Sequence, residues 1–118
     1  MSFRFTKSEK LKSRKTIELL FEEGKTVTSF PVKVYFITIK NDETTQAAFS
    51  VPKRNFNKAV DRNRIKRQLR EAYRLQKHLL NTDNGSKFVL LFLYLSKDKL
   101  QYTVIEKAIK DLFKNMKT

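Results

Sequence analysis

The chain has no cysteine and no tryptophan, one histidine, two glycines and two prolines. Without cysteine there is no disulfide frame, thiol nucleophile or zinc–thiolate site. The lone His78 excludes a histidine-based metal cluster, and its place late in a helical pattern suits a boundary residue better than a catalyst. Two glycines cannot build a glycine-rich phosphate loop, and no serine–histidine–acid order is visible. Acid is also scarce: 12 Asp and Glu stand against 26 Lys and Arg, giving a formal net charge of +14. The adjacent Asp42 and Glu43 are better explained by a hairpin turn than by a metal pair. These shortages lead us to expect no catalytic residue in the protein. No apolar run has the length of a membrane span. The first fifteen residues are basic but lack the apolar block of a signal peptide. A cytoplasmic location fits.

What is present is cationic. An excess of this size predicts an acidic partner, nucleic acid first and an anionic membrane surface second. The charge concentrates in residues 59–77, where Arg62, Arg64, Lys66, Arg67, Arg70, Arg74 and Lys77 are opposed only by Asp61 and Glu71. Ile65, Leu69, Ala72, Tyr73 and Gln76 recur there every three or four residues, with Leu79 and Leu80 beyond, which buries one side of a helix and leaves the other in water. Most charged helix faces are simply solvated. Here the signs are not mixed, and most of the cations are arginines, whose planar fork grips phosphate with two hydrogen bonds. Like charges so close repel, and a polyanion relieves that repulsion. Basic charge alone does not separate RNA from DNA.

The 118 residues suffice for one domain with one core, preceded by a basic arm, residues 1–12, with Phe3, Phe5 and Leu11 as anchors. A helix is expected over 13–23, capped by Ser13 and ended by Gly24, with Ile17, Leu20 and Phe21 on one face. Strands are expected over 26–30, 32–39 and 45–51, with a turn at Asn41-Asp42. Pro52 should end the third strand, and Asn57 is a plausible cap for the basic helix. Asn84-Gly85 marks a loop. The near-continuous apolar run 88–95 suits a central strand covered on both faces. Thr103 and Glu106 form a capping-box pattern before a last helix that buries Ile105, Ala108, Ile109, Leu112 and Met116. The order α-β-β-β-α-β-α implies an α/β (α+β) two-layer sandwich: a mixed four-stranded sheet with helices packed on it.

The run Arg62-Asn63-Arg64, Ile65-Lys66-Arg67, Leu69-Arg70-Glu71 resembles the signature of the bacterial ribonuclease P protein subunit, an RNR motif that opens the main helix. Ser50-Val51-Pro52-Lys53-Arg54 resembles that family's SVSKK, and Lys58-Ala59-Val60 its NAV. The long spacing from Ser50 to Glu71 makes the match specific, and it extends more weakly over nearly the whole chain. The resemblance implies a ribosomal-protein-like fold with a left-handed β-α-β crossover, where the general rule predicts a right-handed one. It implies the protein component of ribonuclease P, which assists a catalytic RNA subunit in removing the 5′ leader from precursor tRNA. Mg²⁺ would be bound mainly by the RNA subunit and substrate, with no dedicated site on the protein.

The implied partners are the ribonuclease P RNA and precursor tRNA, with no membrane and no DNA. The residues expected to meet RNA are Lys53, Arg54, Arg62, Asn63, Arg64, Lys66, Arg67 and Arg70. Ile17, Phe21 and Tyr35 fall on positions of the family's leader-binding cleft. From spacing alone, core packing is the better explanation for Phe21 and Tyr35. Only the resemblance favours stacking on bases.

The chain departs from the family in places. Ile17 stands where many members have Phe, and Pro52 replaces a Ser. The loop 54–58 is one residue longer and lacks a Gly, and 93–96 lacks a common Ala-Arg pair. Three rivals stand beside this reading. A basic binding module such as a ribosomal protein would stimulate no cleavage. A DNA-binding regulator would place the basic helix in a major groove. A protein-only nuclease would need clustered acids.

Overall fold

A computed structural model describes residues 14–39, 45–80 and 87–116. The elements are α1 (Arg14–Glu23), β1 (Lys25–Ser29), β2 (Val32–Ile39), β3 (Gln46–Ser50), α2 (Ala59–Gln76), β4 (Lys87–Tyr94) and α3 (Tyr102–Asn115). A 3-10 turn, Lys77–Leu80, prolongs α2. One four-stranded sheet has the order β1-β2-β4-β3, with β3 and β4 parallel and the other pairs antiparallel. The mixed sheet expected from the sequence is therefore present, and α2 is the crossover that a parallel neighbouring pair requires.

The strand period of two divides the sheet into two faces. Phe36, Phe88, Leu90, Phe92 and Tyr94 point to one side and join Ile65, Leu69 and Tyr73 of α2 and Ile105, Ile109, Leu112 and Phe113 of α3 in the main core. Aromatic edges close it: the Phe92 ring lies 5.7 Å from Tyr73 and 6.2 Å from Phe113. Val89 and Leu91 point to the other side, where Leu20 of α1 covers them and Ile17, Tyr35, Ile37 and Ala48 pack against the cluster. The two-layer frame thus carries α1 as a short third cover. Gly24 ends α1 as expected. Its N–H donates to the Leu20 carbonyl at 2.9 Å, and a Cβ at Gly24 would lie 2.3 Å from that oxygen.

Two expected caps are not used. Asn57 does not cap α2; the N-cap is Lys58, which makes no side-chain cap bond. The reason is tertiary: Phe56 is buried, and Arg62 Nη1 donates to the Phe56 carbonyl at 2.7 Å and the Asn57 carbonyl at 3.1 Å. Those bonds fix the approach of the chain, and the helix begins only after it. The Thr103–Glu106 capping box is likewise displaced, because α3 begins at Tyr102 with Gln101 as its N-cap. The preceding loop is tied to Tyr94, whose hydroxyl donates to the Asp98 carbonyl at 2.6 Å and accepts from the Leu100 N–H at 3.2 Å. Burial pushes that phenol's pKa upward. A fixed entry point wins over a local capping signal. Strand ends differ from expectation by a residue: 25–29 for 26–30, 46–50 for 45–51, and 87–94 for 88–95. Met116 packs partly buried against the main core, and Phe113 takes the fully buried place at that end of α3. The amino-terminal arm with Phe3, Phe5 and Leu11, the Ser13 cap and the turns at 41–44 and 84–85 lie outside the described residues.

Leu69 has no exposed surface, so Leu69→Ala should lower unfolding free energy by about 2–5 kcal/mol. Val60 on the same helix is 76 % exposed, and Val60→Ala should shift it by no more than about 0.5 kcal/mol. Urea denaturation of both variants checks the contrast.

Candidate nucleic-acid interface

The buried positions of α2 are Ile65, Leu69, Ala72, Tyr73 and Gln76. At about 3.6 residues per turn, Asn63, Arg67, Arg70 and Arg74 then form a stripe directed away from the core, with Arg64 beside it. Asn63, Arg64, Arg67 and Arg70 are exposed. Gln76 anchors the far end of the helix by donating through Nε2 to the Ala72 carbonyl at 3.3 Å and the Glu106 carbonyl at 3.0 Å.

Both acids of the helix are occupied. Asp61 accepts from Lys99 Nζ at 3.3 Å. Glu71 pairs with Arg74, whose Nε donates to Oε2 at 3.1 Å. That guanidinium holds the Glu71 carboxyl below the usual carboxylate range, while the bond raises the pKa of Arg74. Among the described residues, Arg64, Arg67 and Arg70 make no ion pair. Their charge faces solvent.

The other expected cations divide by role. Lys53 and Arg54 are exposed on a turn closed by the Asn55 N–H to the Pro52 carbonyl and the Phe56 N–H to the Lys53 carbonyl, each 3.2 Å. This turn joins β3 to the start of α2 and extends the basic surface. Lys66 is half-buried on the flank of the helix. Arg62 is half-buried too, and its bonds to Phe56 and Asn57 make it a clamp on the loop. A list of basic residues does not show that Arg62 also holds the loop. The only hint was Arg62's position next to the apolar face.

The aromatic pair lies on the opposite side of the sheet. Phe21 on α1 is 56 % exposed and meets Tyr35 of β2 edge-on, ring centroids 4.9 Å apart. Ile17 is half-buried at the same seam. Core packing, the better reading from spacing alone, therefore fails for Phe21 and holds in part for Tyr35 and Ile17. Lys33, two residues from Tyr35 on the same strand face, places Nζ 4.9 Å from the Tyr35 ring centre. Sequence reasoning missed Lys33, although strand alternation puts it beside Tyr35. Among the described residues, no three His, Cys, Asp or Glu side chains gather to hold a metal ion. None of the described helices is long and apolar enough to cross a membrane.

The profile of the family described as Ribonuclease P matches residues 5–117. The chain belongs to the ribonuclease P protein family. It is 34 % identical over 114 residues to the ribonuclease P protein component of Porphyromonas gingivalis, covering 92 % of this chain and 83 % of that one. Against the component from Thermotoga maritima it is 35 % identical over 82 residues, 68 % of this chain and 67 % of the relative. The solved RNase P proteins of Staphylococcus aureus and T. maritima share the fold. Their TM-scores are 0.76 and 0.77 at 21 % and 22 % identity, over 92 % and 93 % of this chain and 94 % and 99 % of theirs. Membership makes this chain the protein part of a ribonucleoprotein endoribonuclease of tRNA 5′-leader processing, in which the RNA performs the catalysis.

Arg62→Ala should lower stability by about 1–2 kcal/mol, because two loop carbonyls lose a charged donor. Arg67→Ala should leave the thermal midpoint nearly unchanged and reduce the salt slope of RNA binding by roughly one unit. Calorimetry and binding across a salt series separate the two roles.

Proposed function

We propose that this chain binds the ribonuclease P RNA subunit through the α2 stripe and the Lys53–Arg54 turn, and binds the 5′ leader of precursor tRNA in the seam between α1 and the sheet. The observation that carries this reading is the placement of the two surfaces on opposite faces of one sheet. One rigid body then holds two polyanions without either occupying the other's place. Arg64, Arg67 and Arg70 neutralise phosphates and release counterions. Asn63 bonds a phosphate or a 2′-hydroxyl. Phe21 and Tyr35 offer a platform for an unpaired base, and Ile17 adds apolar contact beside it.

The RNA carries out the hydrolysis with Mg²⁺ held mainly by RNA and substrate. The protein's part is to hold the two RNAs together and strengthen metal-dependent substrate binding. DNA and membranes are not expected partners, and the working compartment is the cytoplasm. A ribosomal-type binding module would explain the basic stripe equally well but gives no reason for an exposed aromatic seam on the other face.

Reconstitution with a bacterial ribonuclease P RNA at low Mg²⁺ tests the reading. The chain should accelerate precursor tRNA cleavage, and protein free of RNA should leave the precursor intact. RNA binding without stimulation would mark a binding module, and cleavage by repurified protein alone would mark a nuclease.

Tyr35→Leu should preserve the fold and weaken binding of leader-bearing tRNA by about tenfold, the loss of one modest stacking contact. Mature tRNA should bind as before, since it presents no leader strand. A leader-length titration measures this, and equal weakening of both substrates would assign Tyr35 a structural role.

A further inference from the structure

The side of the molecule that carries α3 has a second basic surface with an aromatic beside it. Phe30, in the turn between β1 and β2, is 67 % exposed. It borders a groove of about 560 Å³ whose other wall includes Thr103, Val104, Lys107 and Asp111 of α3. Val104 is 41 % exposed, so the groove's lining is partly apolar.

From the groove, Lys107, Lys110 and Lys114 continue along the helix, all exposed and opposite the buried Ile105, Ile109 and Leu112. Glu106 and Asp111 on the same helix are half-buried. Among the described residues none of the three lysines makes an ion pair, although an acid lies three or four positions from each. At a rise of about 1.5 Å per residue the row is roughly 10 Å long, over which a strand presents more than one phosphate.

An exposed ring at the head of a row of cations is the composition of a single-strand site: the ring takes a base face, and the cations follow the backbone. A duplex does not fit as well, because its bases are stacked on one another and closed to the ring. A second copy of this chain does not fit either. Its formal charge of +14 repels the lysine row, and Phe30 with Val104 is far less apolar surface than a stable interface of about 800 Å² per partner requires.

We infer that Phe30 and the Lys107, Lys110 and Lys114 row form a further single-stranded RNA site, separate from the α2 stripe and the α1 seam. An unpaired nucleotide stacks on Phe30 and its neighbouring phosphates lie along α3.

The chain lacks tryptophan, so Phe30→Trp introduces a sole indole reporter. It is placed in a full-length background carrying Arg67→Gln, Arg70→Gln and Tyr35→Leu, which weakens the other two surfaces. Titration with an oligoadenylate of roughly 12 nucleotides should quench the indole. Adding Lys107→Gln, Lys110→Gln and Lys114→Gln should weaken that binding about tenfold or more and lower its salt slope by about 0.7 for each lost phosphate contact. In the same background without the tryptophan, Phe30→Ala should bind about tenfold more weakly than native Phe30, measured by anisotropy of labelled oligonucleotide.

Absence of quenching, equal quenching by duplex RNA, or quenching untouched by the lysine changes would overturn the site. So would an indole signal that depends on protein concentration without RNA, which marks a contact between copies. Circular dichroism confirms that each variant is folded, and the exposed lysine changes remain informative if a change at Phe30 disturbs the turn. The reconstitution assay is independent: stimulated cleavage without quenching removes this site alone, and quenching without stimulation removes only the proposed role in leader processing.

Discussion

Strand β4 is the constraint on which the other surfaces depend. It pairs with β2 on one edge and β3 on the other, so its backbone is satisfied within the sheet. Its side chains alternate between two apolar environments: Phe88, Leu90, Phe92 and Tyr94 seat α2 and α3, and Val89 and Leu91 seat α1. No residue from Phe88 to Phe92 exposes more than 5 % of its surface. A strand of this kind cannot slip by one position, because slippage exchanges two differently shaped sets of partners. The basic helix and the aromatic seam therefore keep a fixed relation through a single central strand.

That anchorage explains how a helix so rich in like charge is held. Arg64, Arg67 and Arg70 repel one another in water, and no described acid offsets them. The opposing term is the burial of Ile65, Leu69, Ala72 and Tyr73, worth roughly 1.5–3 kcal/mol for each large side chain. The two acids present are spent at the margins. Asp61 ties the helix to Lys99 near the entry of α3, and Glu71 is paired within the helix. The centre of the stripe is left positive, which suits binding by counterion release, where each uncompensated cation counts.

Much of this was legible in the sequence because periodicity reports burial. The apolar spacing of residues 65–76 matches the inner face of α2, although Leu79 further along the same series is 44 % exposed where the helix tightens into the 3-10 turn, and the near-continuous run at 88–95 matches a strand covered on both sides. What was illegible depended on distant partners. Asn57 and the Thr103–Glu106 pair have good capping chemistry, but Arg62 and Tyr94 fix the incoming chain elsewhere. Phe21 and Tyr35 show the converse: spacing assigned them to a core, and Phe21, next to the last buried residue of α1, is left 56 % exposed. Periodicity states which side of an element is apolar, not how far the neighbouring layer extends.

The fate of the cations follows from the same geometry. An arginine near the edge of a buried face reaches backbone carbonyls and becomes part of the fold, as Arg62 does. One directed straight away from the core, like Arg67, has only solvent or a ligand to meet. Charge count alone therefore does not separate cations bonded within the fold from those left open, and angular position on the helix is the better guide to which arginines are available. By that criterion the lysines of α3, opposite Ile105, Ile109 and Leu112, are as available as the arginines of α2, although no contiguous motif draws attention to them. An α-helix hides such a row in the sequence because its members are separated by buried residues, and only the packed structure gathers them onto one surface.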